Sequence, residues 1–327
     1  MNNSIRISAP ARLHVNLFDM SNGGYRQNGG IGLCINKLDT VMEFKPKQDF
    51  QIIDSRDIGY TEDEKKALID FFHRLYIAHG FSQKFSINFL SGPPPHSGFG
   101  TGTATKLACS EAASIINNSM LDQAQLISAS GRGGTSGVGI NTYFRGGLSI
   151  DFGVKATGVP LGPSSARQTP QARPVQLFHV GLPEDWQFGV IISPGEHTIS
   201  GQEEIDFFNK TCPIDLPSVQ ESIYHAISGT ACAAIEADYQ TFCSSINAAQ
   251  QSKWKKAEWM AQSNSILTLK NQIMDAGAGC VGLSSLGPAV YFMSSDLKGL
   301  IDTLNFPRNT TVTQCSPNNI GRAIEID

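Results

Sequence analysis

Residues 91–118, SGPPPHSGFGTGTATKLACSEAASIINN, bring three glycines and three threonines to the start of a helix-friendly stretch. Gly98, Gly100 and Gly102 let the backbone turn tightly and approach a ligand, while Thr101, Thr103 and Thr105 add hydroxyls. Free N–H groups and the positive end of the helix dipole suit such a turn to an anion, most often phosphate. Lys106 adds a point charge. The string is not G-x-x-x-x-G-K-[ST], and G-x-G-x-G by itself also describes an ordinary turn.

Two more glycine clusters follow. Residues 131–147, GRGGTSGVGINTYFRGG, read as a loop in close backbone contact with something; Arg132 and Arg145 have planar forks for phosphate or carboxylate, and Gly134, Thr135 and Ser136 are candidate binding positions. Residues 276–287, AGAGCVGLSSLG, contribute Ser284 and Ser285. Near the start, IRISAPARLHVNLF spaces Arg12, His14 and Asn16 two apart, so an extended chain points all three to one face. That face is either solvated or part of a site, and Asp19 lies just beyond it. The acidic run from Glu196 to Glu204 is either a metal site or the negative start of a helix.

The elements that must position these residues are legible in part. Pro10 predicts an edge or bulge in the first strand, residues 23–32 read as a glycine-rich link, and a strand or strand pair is expected over 31–44. Thr61 to His79 predicts a helix with a Thr61/Glu64 capping box, a Gly80 cap and a stripe of Leu68, Phe71, Phe72, Leu75 and Tyr76. Phe85, Ile87 and Phe89 alternate as a half-buried strand. Further expectations are a polar helix over 122–130, strands at 148–152, 188–193, 288–293 and 311–315, and long helical stretches over 218–250 and 252–276, with Trp254, Trp259 and Met260 in the core. Residues 154–173 read as an irregular linker.

With 327 residues, 40% apolar and 17% charged, the chain has enough core for two packed subdomains and is not disordered. The net charge of −4 gives no general attraction to nucleic acid, so anion binding must be local. No run of eighteen apolar residues spans a bilayer and no apolar leader opens the chain, which predicts a cytoplasmic protein without membrane partners. The 7 cysteines are scattered without a C-x-x-C pair and read as buried small hydrophobes.

P-A-R-L-H near the start, P-P-P-H-S-G-F-G-T-G-T in the middle and G-L-S-S-L-G-P-A-V-Y-F near the end resemble the three motifs of the GHMP kinase superfamily, over nearly the whole chain. Within it, Arg12-Leu13-His14, GRGGTSGVG over 131–139, GGLSID over 146–151 and SGQEEIDF over 200–207 resemble the β-ribofuranosylaminobenzene 5′-phosphate synthases. The resemblance implies an α+β fold, with an N-terminal domain over 1–170 like the second domain of ribosomal protein S5 and a C-terminal ferredoxin-like domain over 171–327. It also implies a transferase that condenses phosphoribosyl pyrophosphate with an aromatic acid and releases carbon dioxide and pyrophosphate, a step of methanopterin biosynthesis. Two departures, Ala104 and the run Asp151-Phe152-Gly153-Val154, leave the acceptor open between 4-aminobenzoate, 4-hydroxybenzoate and relatives.

On that reading the glycine loop and Arg132 hold phosphates, Mg2+ assists the pyrophosphate leaving group, Arg12 and His14 orient donor or acceptor, and Asp19 contacts metal or ribose. Related enzymes are often homodimers. Two alternatives stay open: an ATP-dependent small-molecule kinase and a non-catalytic metabolite-binding regulator. Against the kinase, the position at which many superfamily kinases carry a catalytic aspartate is Gly139 here.

Overall fold

The computed structural model describes residues 4–156, 158, 161–163, 172–193, 195–306 and 310–327. In chain order the first half comprises β1 (Ile5–Asp19), β2 (Arg26–Pro46), β3 (Gln51–Asp54), α1 (Glu62–His79), β4 (Phe85–Ser91), α2 (Thr101–Ile116), α3 (Gln123–Ser130), α4 (Val138–Arg145), β5 (Leu148–Asp151), β6 (Val154–Lys155) and β7 (Gln176–Val180). There follow β8 (Phe188–Ile192), α5 (Gln202–Thr211), α6 (Leu216–Tyr224), a π-helical turn (His225–Ala231), α7 (Cys232–Glu236), α8 (Tyr239–Gln250), α9 (Lys253–Met260) and α10 (Asn264–Asp275). Last come β9 (Cys280–Leu283), β10 (Val290–Met293), α11 (Leu297–Thr303), β11 (Thr311–Cys315) and β12 (Ala323–Ile326).

These strands form two sheets. The larger runs β12-β1-β2-β4-β3, with β5 and β6 also pairing β2 and β7 pairing β5; the smaller, antiparallel sheet runs β11-β8-β10-β9. The pairing does not follow a single cut between residues 170 and 171, because β7 and β12 both lie on the larger sheet. The strand over 323–326 was not among the expected ones, since AIEI is a short, largely exposed edge.

Alternation decides the core of the first sheet. Ile7, Met42, Phe44, Phe85, Ile87 and Phe89 face the stripe Leu68, Phe71, Phe72 and Leu75 of α1, as expected. The Thr61/Glu64 capping box is present and Gly80 ends the helix at φ 65°. A second cluster joins Leu13, Val15 and Leu33 of the larger sheet to Phe188 and Val190 of the smaller one and Phe242 and Ile246 of α8. Apolar packing therefore ties the two sheets together.

Several expectations are corrected. The link expected over 23–32 is mostly strand, because Gly30 and Gly32 serve a close approach of β1: a Cβ would stand 2.6 Å from the Asn16 carbonyl oxygen at Gly30 and 2.5 Å from that of Leu13 at Gly32. The cluster over 131–147 contains helix α4 rather than loop alone. The boundary between the two helical stretches falls at Ser252 as expected, but each breaks once more, where Ala237 takes φ 55° before Asp238 caps α8 and where Ser263 caps α10. Trp254 and Trp259 are buried, but Met260 is 81% exposed, and Cys232 is exposed rather than buried. The predicted bulge in β1 falls at Ala9/Ala11 beside Pro10. The linker read over 154–173 lies largely outside the described residues.

Candidate active site

Arg12, His14 and Asn16 do not form a solvated face. A bulge between His14 and Asn16 keeps the face irregular, and His14 and Asn16 are 4% and 0% exposed. Arg12 and His14 line a cavity of about 120 Å³ with Thr103, Arg132, Thr135 and Ser136. The same cavity is walled by Leu17, Pro163, Phe208, Trp254 and Leu286, and Glu204, Glu258, Gly139 and Ser285 complete its lining.

Arg12 is the unusual member. Its Nε and Nη1 are buried and have no hydrogen-bond partner, and Nδ1 of His14 has none either. Burial, then the neighbouring Arg132, lowers the Arg12 pKa to about 10, so it stays charged at neutral pH. His14 is held well below its ordinary value by burial, then by Arg12 and Lys255, and is neutral. Arg132 is lowered by burial too, and its Nε donates to Oγ1 of Thr103 at 3.0 Å, which aims the guanidinium. Two neighbouring guanidiniums, one with Nε and Nη1 unpaired, give this part of the cavity the chemistry to take an anion.

The glycine loop acts behind this cavity. Gly98, Gly100, Thr101 and Gly102 do not line it; the loop is instead stitched to β1 and the β9–β10 turn. The Phe99 carbonyl accepts from Arg12 N at 3.1 Å, Ser284 Oγ donates to the Gly98 carbonyl at 2.7 Å, and Ser284 Oγ accepts from His14 N at 3.0 Å. Ser284 is thus a connector, whereas Ser285, at φ 57°, reaches the cavity. Gly100 caps α2 at φ 74°, and a Cβ there would sit 3.1 Å from the Arg12 guanidinium. Gly102, in the first turn of α2, has nothing within 4 Å of a Cβ. Gly102→Ala should therefore leave folding intact or stabilise it by about 0.5 kcal/mol, whereas Gly100→Ala should lower both stability and activity. Thermal melts of the two variants side by side check this, and a destabilised Gly102→Ala contradicts it.

The second cluster is pinned from below. Asn28 Nδ2 donates to the Gly134 carbonyl at 2.9 Å, so Gly134 is held rather than lining the cavity, and Gly29 N donates to the Thr135 carbonyl at 2.9 Å. Asp151, fully buried, accepts from Ser136 Oγ at 3.0 Å, Gly137 N at 2.8 Å and Gly153 N at 2.9 Å. Burial nevertheless raises its pKa from 3.8 to about 6. The folded protein then holds that proton more tightly than the unfolded chain, so stability is lost as pH rises from about 4 to about 6 and the loss persists above. The effect is about 3 kcal/mol. Asp151→Asn should remove this pH dependence while weakening the loop, because the amide NH2 must face a backbone donor whichever oxygen it replaces, Gly153 N at Oδ1 or Gly137 N at Oδ2; unfolding curves at pH 4 and 7 measure both.

Other expected residues lie elsewhere. Asp19 accepts from Ser21 N at 3.2 Å and Ser21 Oγ at 2.7 Å, and so serves the turn after β1, beside a separate cavity of about 340 Å³ that shares Phe208. Lys106 turns to the Phe71 ring, 5.4 Å from its centroid, and its pKa is lowered to about 8 by burial. Arg145 ends α4 outside the cavity. Glu258, Trp254 and Phe208 were not foreseen as site residues; Trp254 was expected only as core on α9, and Phe208 lies on α5 just past the SGQEEIDF string.

No family model matches the chain. A relative from Methanocaldococcus jannaschii, named beta-ribofuranosylphenol 5'-phosphate synthase, is 32% identical over 311 residues, covering 91% of this chain and 92% of its own. The chain belongs to this family. Solved structures show the wider fold: homoserine kinase from Cytophaga hutchinsonii superposes with a TM-score of 0.68 at 16% identity over 98% of this chain and 97% of its own. Mevalonate diphosphate decarboxylase from Staphylococcus aureus gives 0.65 at 11% over 99% and 98%. The α+β fold of beta-ribofuranosylphenol 5'-phosphate synthases is accordingly that of the GHMP superfamily, as its three motifs imply. No helix among the described residues is long and apolar enough to cross a membrane.

Proposed function

We propose that the protein condenses phosphoribosyl pyrophosphate with a 4-hydroxybenzoate or 4-aminobenzoate type acceptor, releasing carbon dioxide and pyrophosphate. The supporting observation is Arg12, a guanidinium whose Nε and Nη1 are buried and unpaired, beside a second guanidinium and facing a cavity with an aromatic wall. Phosphates suit the first feature and an aromatic ring the second, since Phe208 and Trp254 stand 5.0 Å apart edge to face. The relatives' printed name, a ribofuranosylphenol phosphate, favours the hydroxybenzoate.

Chemically, the donor's bond from ribose C1 to pyrophosphate breaks and pyrophosphate takes the electron pair. The ring carbon bearing the carboxylate then bonds to C1, and the carboxylate leaves as carbon dioxide, its bonding pair restoring aromaticity. Charge and protons balance without a strong base, so the chain's work is positioning and neutralisation. Arg12 and Arg132 hold the phosphates, Thr103 aims Arg132, and neutral His14 orients without adding charge.

Mg2+ fits this arrangement as an ion carried by the substrate. Among the described residues no group of three or more His, Cys, Asp or Glu is placed to hold a metal, whereas Glu204 lines the cavity and Mg2+ commonly takes one or two carboxylates plus substrate phosphates. When bound it would neutralise charge on the leaving pyrophosphate.

The test is pyrophosphate release from phosphoribosyl pyrophosphate with each benzoate, against ATP consumption with a panel of hydroxylated metabolites. The kinase reading is disfavoured by Gly139, which lines the cavity yet has no carboxylate to take a hydroxyl proton. Acceptor-dependent ATP consumption without pyrophosphate release would reverse the assignment. Phosphate-ligand binding with neither reaction would make the protein a regulator. Arg132→Lys should lower kcat/KM by roughly 10²-fold, because a point charge does not reproduce the fork; unchanged steady-state kinetics would leave Arg132 a purely structural residue.

A further inference from the structure

Glu258 is not accounted for by phosphate binding, since a carboxylate repels phosphate. It lines the cavity while its side chain is only 2% exposed. Its Oε1 accepts from Trp254 Nε1 at 2.7 Å, so the ring that walls the cavity also fixes the carboxylate. The ammonium of Lys255 pairs with Oε2 and donates to the Leu283 carbonyl at 2.7 Å, so each carboxylate oxygen has one partner and keeps a further lone pair. Arg12 senses the charge of Glu258 but makes no ion pair with it. The cavity therefore has a cationic region at Arg12 and Arg132 and, against the Trp254 wall, a carboxylate fixed by Trp254 and Lys255 whose remaining lone pairs can accept from a donor.

We propose that Glu258 is the specificity-determining residue for the acceptor, taking a hydrogen bond from the O–H or N–H group para to its carboxylate. This rests on the synthase reading above. The reacting ring carbon must meet ribose C1 near the phosphates, so the para substituent points away from the guanidiniums. A carboxylate there selects acids bearing a para donor and pushes electron density through the ring to the carbon that attacks. No proton need leave the substituent, and the bond changes are those already given. A charged acceptor makes this hydrogen bond about twice as strong as a neutral one would.

Hydroxyl and methoxy groups donate electrons to a ring comparably, but only hydroxyl donates a hydrogen bond. Wild-type protein should therefore use 4-hydroxybenzoate at least ~10²-fold better in kcat/KM than 4-methoxybenzoate, with pyrophosphate release as readout. Glu258→Met alone would strand a buried ammonium, so the variant is Lys255→Met with Glu258→Met, which removes the pair together. It should fold, keep the donor KM within about threefold and discriminate less than about tenfold between the two acids. A steric bar against the methyl group would survive this near-isosteric change, and retained discrimination would overturn the proposal. A readout free of any variant is the absorption of 4-hydroxybenzoate bound to wild-type protein, which should shift to longer wavelength on bonding to a carboxylate; no shift also overturns it. Pyrophosphate release with none of these acids would sink the synthase reading itself, whereas release with equal use of both acids would sink only the role of Glu258.

Discussion

Arg12→Met is expected to raise the melting temperature of the ligand-free protein while lowering turnover by roughly 10³-fold. The two effects have one cause. Arg12 is charged, and its Nε and Nη1 are buried without a hydrogen-bond partner, so the free protein bears a desolvation cost that a bound anion relieves. An unbranched apolar side chain removes that cost, for a gain of about 2 kcal/mol, and removes the anion site with it. Arg12→Lys should keep the charge and most of the cost yet lose the planar geometry, giving a smaller loss of activity and no gain in stability. Calorimetry with and without phosphoribosyl pyrophosphate separates the contributions. A clearly destabilised Arg12→Met protein with normal donor KM would show that Arg12 supports the fold instead.

Gly98→Ala should have the largest effect on stability outside the buried core, about 3 kcal/mol, and lower activity with it. At φ 102° an added Cβ would stand 2.2 Å from the Ser284 carbonyl oxygen, a backbone atom that cannot rotate aside. Gly287 meets the same seam from the other side, with a Cβ 2.2 Å from the Ser97 carbonyl carbon. Forcing the seam apart breaks the Ser284 bridge between Gly98 and His14, which sets where Arg12 and Thr103 stand. Denaturant unfolding of Gly98→Ala against Gly102→Ala tests this, since the second glycine has open space. Equal stability of the two would contradict it.

The outcome shows what a glycine cluster reveals in sequence. Gly98, Gly100 and Gly102 marked the right turn, but the reason differs among them: Gly98 permits a close approach, Gly100 leaves room for Arg12, and Gly102 is unconstrained. Spacing does not separate these cases, because the approaching backbone belongs to residues far along the chain. The same holds for residues 23–32 and 131–147, where glycines read as loop sit in strand and helix. Arg12, His14, Thr103, Arg132, Thr135, Ser136 and Ser285 were legible because strand periodicity and family-like strings mark them, and they do meet in one cavity. Glu258 was not, since on α9 a carboxylate among Lys253, Lys255 and Lys256 reads as a solvated face until tertiary packing buries it. Helix α1 was read almost to the residue because its caps and stripe are local.

Strand β12 has a consequence for how the protein is made. Ile326 pairs with Ile5, and Ser4 Oγ donates to Asp327 across 323 positions of sequence. During synthesis at about 5–20 residues per second, β1 can pair with β2 within moments, yet its other edge stays open until β12 has emerged. An unpaired strand edge is a template for a neighbouring chain, and closing so long a loop is slow. On a crowded polysome the nascent protein is thus vulnerable at one seam from the emergence of β1 until that of β12, and a chaperone that shields β1 over that interval should raise the yield of folded protein.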